Sequence, residues 1–356
     1  MTLLLAVILA ALIFEFVNGF HDTANSVAAA VGTRALSPSR AIALAAVMNL
    51  AGALAGTAVA HTVGKGLVEA ASVTNHTILT ALLGATIWNL VTWRLGLPSS
   101  SSHALFGSLI GAAVASTGTL DVVIWAEHAP GKPWFAGSGL LYKVILPMFL
   151  SPLLGFLVAL IAMSLLTAAL QRQHPSPVNS LFRRLQILSS ACMGFSHGSN
   201  DAQKTMGILA LALFAATNAG QLDALPKELH FLRTKNFEIA LWVKLVCAAT
   251  MAAGTAAGGR RIIKTLGRKV SRLHPPNGFT ADITSAAVLM TAARMGMPVS
   301  TTHVVSSAIM GVGAARRWQA MRWDLVESIA WTWLLTLPAS ALAGYGLMRL
   351  LMLFRT

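Results

Sequence analysis

Charge is what this chain of 356 residues has least of: 11% of its residues are charged, and 12 are acidic. An ordinary soluble domain carries about 25% charged residues. Too few are left to coat a water-facing globule of this size, which excludes a soluble single-domain enzyme as the starting assumption. Cysteine is nearly absent. Cys192 and Cys247 both lie in apolar runs, match no zinc or redox spacing, and read as buried, inert thiols. Strand-like alternation is missing, which sets a β-barrel aside in favour of helices. No glycine-rich nucleotide loop with a Walker lysine occurs, so no nucleotide-driven pump is indicated. The first apolar run lacks a basic leader and is soon followed by another, so residues 2–33 read as a retained spanning element rather than a cleaved signal peptide.

What is present is a succession of apolar runs long enough to cross about 30 Å of hydrocarbon. They fall near 2–33, 41–60, 76–93, 140–169, 185–216, 239–257 and 324–347, with shorter runs at 103–118, 281–294 and 299–315. Ala, Leu, Gly and Met dominate them, and small residues such as Gly52, Gly56, Gly107 and Gly111 suit close helix packing. Trp88, Trp93, Trp318 and Trp323 sit near run ends, where interfacial anchoring explains them. The expected fold is an all-α polytopic membrane protein of roughly 10–12 segments.

The formal net charge of +14 raises a nucleic-acid partner, but the placement of the charges dismisses one. They gather in short connections. Arg34 with Arg40, Arg172 with Arg183 and Arg184, the run Arg260, Arg261, Lys264, Arg268, Lys269 and Arg272, and Arg316, Arg317 and Arg322 form a basic set. The alternate connections are mixed: Lys65 with Glu69; Asp121, Glu127 and Lys132; Asp223, Lys227, Glu228, Arg233, Lys235 and Glu238. The positive-inside rule places the basic set in the cytoplasm and both termini outside.

An internal repeat organises the chain. Arg94 to His103 (RLGLPSSSSH) returns as Arg294 to His303 (RMGMPVSTTH), and Gly19 to Ser26 is matched by Gly198 to Thr205. The two halves enter the membrane from opposite sides, an inverted-topology repeat of the kind found in secondary transporters. The expected division is 1–170 and 185–356, with a short cytoplasmic connection at 171–184.

Ionisable residues inside such segments read as functional by default. Asp22 and Asp201 are paired by the repeat. Each can coordinate a cation, carry a proton, or cap a broken helix, and Gly19 and Gly198 would permit such breaks. Asn25, Asn200 and Gln203 can donate to an anion or offer carbonyl oxygens to a cation. Pro98 and Pro298 precede Ser99–Ser102 and Ser300–Thr302, which would open new helices. Two hydroxyl-rich helix N-termini brought together would make an oxyanion site, and capping alone needs one hydroxyl per turn. His21, His103, His197 and His303 suit a proton relay or a core hydrogen bond equally, and no metal-ligand pattern emerges from them. Lys204 stands where the first half has Asn25, positioned to neutralise Asp201 or to attract an anion. Glu15 is a further cation ligand or a polar helix contact, and the depth of Asp282 is open. Arg94 and Arg294 read as snorkelling anchors.

At these motif pairs the chain resembles the inorganic phosphate transporter (PiT) family, whose signature runs roughly Gly-Ala-Asn-Asp-Val-Ala-Asn once in each half. NGFHDTANSVA (Asn18 to Ala28) and SHGSNDAQKTMG (Ser196 to Gly207) are similar to the bacterial low-affinity phosphate transporter branch. The resemblance implies a non-enzymatic symporter of inorganic phosphate, free or as metal-phosphate, in the bacterial cytoplasmic membrane. It implies discontinuous helices with Pro/Ser-rich hairpins, and no cofactor beyond the substrate and a coupling ion. Protons are the expected ion, with sodium coupling, or sulfate or another tetrahedral oxyanion as cargo, as the alternatives. Carried over by position, Asp22, Asn25, Ser101, Ser102, Asn200, Asp201, Gln203, Thr301 and Thr302 would bind substrate. Asp22, Asp201, Glu15, His21 and Lys204 would couple the cation. The expected partners are phosphate, the coupling cation, the lipid bilayer and a second copy in a homodimer. His21 and Lys204 depart from the signature, which bars a one-by-one transfer of sodium ligands.

Overall fold

The computed structural model describes residues 2–128, 137–223, 225–234, 236–258 and 273–354, without the side chains of 316, 317 and 320. The basic run from Arg260 to Arg272, together with Lys132 and Lys235, lies outside the described residues.

The described residues are helical almost throughout. In chain order the helices are α1 (Thr2–Gly32), α2 (Pro38–Leu54), α3 (Ala58–Lys65), α4 (Asn75–Leu95), α5 (Ser101–Thr117), α6 (Leu146–Leu170), α7 (Pro175–Asn218), α8 (Leu241–Ala257), α9 (Pro275–Arg294), α10 (Thr301–Arg317) and α11 (Trp323–Leu353). A π-helical turn, Leu141–Ile145, leads into α6. The apolar runs of the sequence fall largely within single helices, with one exception. The run at 41–60 is broken, because α2 and α3 meet at 71°.

By length and composition, α1, α4, α11 and the segment Leu141–Leu170 suffice to cross a membrane, and α2 with α3 adds a bent fifth candidate. At 44 residues α7 is long enough for a crossing with about 20 Å or more to spare, and its polar stretch through Asp201 dilutes its hydropathy. Leu153, Ile161 and Leu165 of α6 and Leu335 and Leu342 of α11 are exposed. Such an apolar periphery is a liability in water and the expected surface in lipid.

Packing repeats the sequence symmetry. α1 corresponds to α7, α2 to α8, α4 to α9, α5 to α10, and α6 to α11. α1 packs on α8 and on α4, while α7 packs on α2 and on α9. α5 packs on α11, while its counterpart α10 packs on α6. Each half therefore finds part of its support in the other, and neither half is a closed body.

Glycine makes these crossings close. A methyl group on Gly19 would overlap the Met251 carbonyl, and one on Gly254 the Phe16 carbonyl; the repeat-related Gly198 and Gly52 face Asn49 and Phe195 in the same way. The helix breaks expected at Gly19 and Gly198 are not there. α1 and α7 run unbroken through both positions, because the missing Cβ serves backbone-to-backbone approach between helices rather than a bend. Among the described residues the discontinuities are the α2–α3 bend and the two hairpins. Gly96 and Gly296 close α4 and α9 at φ 70° and 63°, a left-handed conformation that favours glycine.

Candidate functional site

The turns after Gly96 and Gly296 deliver Ser100 and Ser300 to the starts of α5 and α10. There each side chain caps its helix, accepting from the backbone N–H of His103 at 3.1 Å and of His303 at 3.3 Å. Capping thus consumes one hydroxyl per hairpin. Ser101, Ser102, Thr301 and Thr302 are left for other work, all four buried. The two helix starts meet: the His103 and His303 rings are 4.8 Å apart, and His303 stacks on Trp333 at 4.2 Å. Two positive helix ends therefore point into one region from opposite halves.

Against them lie the middles of α1 and α7. Asp22 accepts from Ser101 Oγ at 3.2 Å and from His21 Nδ1 at 2.6 Å. Asn25 Nδ2 donates to Thr302 Oγ1 at 2.9 Å. In the other half Lys204 Nζ donates to Ser102 Oγ, to Asp201, and to the Val299 carbonyl at 2.9 Å. Asn200 Nδ2 donates to Val299 O at 2.8 Å and lies 3.4 Å from Thr301 Oγ1. The repeat thus reproduces itself as contacts, with Asn25 to Thr302 and Lys204 to Ser102 being the same bond seen from opposite halves.

Asp22, Asp201 and His197 converge, each offering a ligand atom within 4.8 Å of the other two. His197 is one of four histidines whose sequence context suits a proton relay or a core hydrogen bond equally, and its neighbours orient its ring. Thr255 Oγ1 donates to Met251 O at 3.0 Å, so it accepts from Asn49 Nδ2 at 2.9 Å. That orients Asn49 with its carbonyl oxygen toward His197 Nδ1, 3.0 Å away, and the hydrogen on Nδ1 follows. His197 Nε2 then faces Asp201 Oδ2 at 3.0 Å. His197 Nε2 and Asp201 Oδ2 thus present acceptor lone pairs side by side, an arrangement suited to ligating one shared cation.

The remaining expected residues stand further out. Gln203 Oε1 accepts from the backbone N–H of Val59 at 2.9 Å, and so caps the start of α3 instead of facing the hairpin hydroxyls. Glu15 is fully buried and accepts from Thr205, one residue beyond Lys204. Asp282 is buried against Ser190, 2.8 Å, and Ser189, away from the two carboxylates. Ser99, from the repeated hydroxyl-rich turn, and Thr92, which no sequence pattern singles out, flank His21 Nε2 at 3.4 and 3.3 Å.

A polytopic helical protein with inverted repeats and a buried, hydroxyl-lined site at their junction is by architecture a secondary transporter. Residues 18–344 match the model of the phosphate transporter family. A probable low-affinity inorganic phosphate transporter of Bacillus subtilis is 41% identical over 344 residues, covering 96% of this chain and 95% of the relative. One of Rhizobium meliloti is 42% identical over 341 residues, covering 96% and 94%. Among solved structures, one described as the sodium-dependent phosphate transporter superposes with a TM-score of 0.81 at 25% identity, covering 99% of this chain and 100% of its own. The chain belongs to the phosphate transporter family, and is a membrane transporter rather than an enzyme.

Proposed function

We propose that the protein imports inorganic phosphate by symport with sodium, binding both between Asp22 and Asp201 where the two halves meet. The observation that carries this reading is the convergence of both repeat carboxylates beside the first hairpin's hydroxyls, with Asn25 and Asn200 reaching those of the second. Ser101, Ser102, Thr301 and Thr302, with Asn25, Asn200 and Lys204, form the phosphate site, and Asp22 with Asp201 the cation site. Hydroxyls and helix N-termini recognise a tetrahedral oxyanion without burying a second fixed charge. Gln203 supports the site through α3, and Glu15 through Thr205. Sodium takes precedence over the expected proton because the solved relative of the same architecture is described as sodium-dependent.

A second reading, proton coupling, is favoured by the imidazoles on both carboxylates: His21 on Asp22 at 2.6 Å and His197 on Asp201 at 3.0 Å. Uptake of labelled phosphate into proteoliposomes, with sodium and pH gradients imposed separately, decides between them. Accumulation under the sodium gradient alone is expected. Accumulation under the pH gradient alone replaces sodium by the proton, and failure under both removes symport. Strong sulfate uptake with no phosphate uptake would overturn the cargo.

The two halves of the transport unit, 1–170 and 185–356, are proposed to carry one carboxylate and one hairpin each. The basic connections favour both termini outside the bacterial cytoplasmic membrane. Tagged-terminus accessibility in intact cells tests that topology. A homodimer is proposed as the assembled form, to be checked by mass measurement in lipid nanodiscs.

A further inference from the structure

We infer that Lys204 is a tethered counter-cation, standing in for one ion that would otherwise have to bind with each phosphate. The inference rests on the symport reading above and concerns how that same site is charged.

The repeat supplies an internal comparison. Asn25 and Lys204 hold the same repeat position, and each reaches across to a hydroxyl of the opposite hairpin, Thr302 and Ser102. Asn25 brings no charge to that contact. Lys204 brings a full one, and its side chain is 3% exposed. A buried ammonium persists only where an opposite charge and hydrogen-bond acceptors meet it. Here they are Asp201, Ser102 and the Val299 carbonyl.

The two carboxylates are therefore neutralised differently. Asp201 has Lys204 on one oxygen and His197 on the other. Asp22 has His21 and the Ser101 hydroxyl. Phosphate adds at least one further negative charge to a site shielded from water, where net charge is expensive. Around Asp22 the balancing cation has to come from solution. Around Asp201 it is already attached to the chain, on a flexible four-carbon stem. The ammonium can turn from the carboxylate toward a phosphate oxygen while staying near Ser102. No equivalent turn is open to Asn25. The symmetric fold thus holds an asymmetric charge arrangement: one exchangeable cation position and one permanently filled.

The test is phosphate binding by purified protein in lipid nanodiscs, read with radiolabelled phosphate for wild type, Lys204→Asn and Lys204→Gln. Sodium is exchanged for choline at fixed pH, and pH is varied at fixed sodium. Linkage makes the slope of log affinity against log cation concentration count the cations taken up with phosphate. The summed sodium and proton slope is expected to rise by about one in each folded variant, with sodium or acid restoring affinity that choline medium removes. The glutamine variant keeps most of the reach toward Ser102, so a misfolded asparagine variant leaves the measurement intact. An unchanged slope in a variant that binds phosphate overturns the inference. Binding lost in folded variants and restored by neither cation overturns it too. A wild type that binds no phosphate is a different result, and overturns the symport reading itself.

Discussion

Asp22→Asn removes one negative charge from the proposed cation site while leaving the shape of the side chain almost intact. The ligand atoms of Asp22, Asp201 and His197 lie within 4.8 Å of one another. The two carboxylates are therefore near enough for a single cation between them to touch both. Asparagine still offers one oxygen, to which His21 can donate. The loss in folding stability is therefore about one hydrogen bond, on the order of 1 kcal/mol. The loss in ion binding is larger. A unit charge about 4 Å from a cation contributes about 4 kcal/mol at an effective dielectric of about 20. The amide dipole returns part of that, leaving about 2–4 kcal/mol, or roughly a 30- to 1,000-fold weaker sodium affinity.

The assay is initial phosphate uptake by proteoliposomes across a sodium titration, with thermal melting of the same preparations as the control for folding. The variant is expected to melt close to wild type and to need roughly 30- to 1,000-fold more sodium for half-saturation, losing accumulation at concentrations that only just saturate wild type. Normal accumulation, with half-saturation by sodium within threefold of wild type, would refute the electrostatic role given to Asp22.

The remaining predictions separate packing, capping and binding. Gly52→Ala and Gly254→Ala place a methyl group on the Phe195 and Phe16 carbonyls, so each should destabilise by about 1–3 kcal/mol; unchanged melting temperatures for both would contradict the close crossings. Ser100→Ala removes a helix cap and is expected to cost about 1 kcal/mol of stability while phosphate affinity holds. Ser102→Ala, which strips an acceptor from Lys204, should do the reverse, raising the KM for phosphate tenfold or so. Indistinguishable effects of the two serines would undo that division. Asp282→Asn retains acceptor capacity for Ser190 and stands apart from the carboxylate pair, so sodium-dependent uptake should persist; its loss would extend the cation site to α9.

Much of this site was legible because the chain states it twice. An aspartate repeated at Asp22 and Asp201 and a Pro-hydroxyl turn repeated at Pro98 and Pro298 are too costly in lipid to be incidental, and they do converge. His197 was recoverable as well: four residues before Asp201 on one helix, it shares that residue's face. Asn49 was not, because its part depends on Thr255 from α8 and His197 from α7 arriving beside it, and no local pattern encodes that meeting. The glycines show the other limit. Gly19 permits a bend or a close crossing with equal ease, and only the neighbouring Met251 carbonyl decides for the crossing. At the bend between α2 and α3, the run at 41–60 read as one segment because its composition stays apolar through Gly56 and Thr57.

The hydrogen bonds between halves also bear on how such a site could open. Asn25 holds Thr302, and Lys204 holds Ser102; each bond ties the long helix of one half to the hairpin of the other. The same hydroxyls are the groups assigned to phosphate in the proposed site. Occupying them replaces two direct ties between halves by one shared ligand, so the strength of the junction becomes conditional on cargo. The glycine crossings between α1 and α8 and between α7 and α2 do not involve those hydroxyls and keep their packing through the exchange. Because those crossings themselves join the two halves, what ligand binding can bias without a cost in helix packing is motion of the hairpins against the long helices, not of one whole half against the other. In the proposed site the bias on that motion comes from differential contacts at four hydroxyls and two carboxylates, which is where Asp22→Asn and Ser102→Ala act.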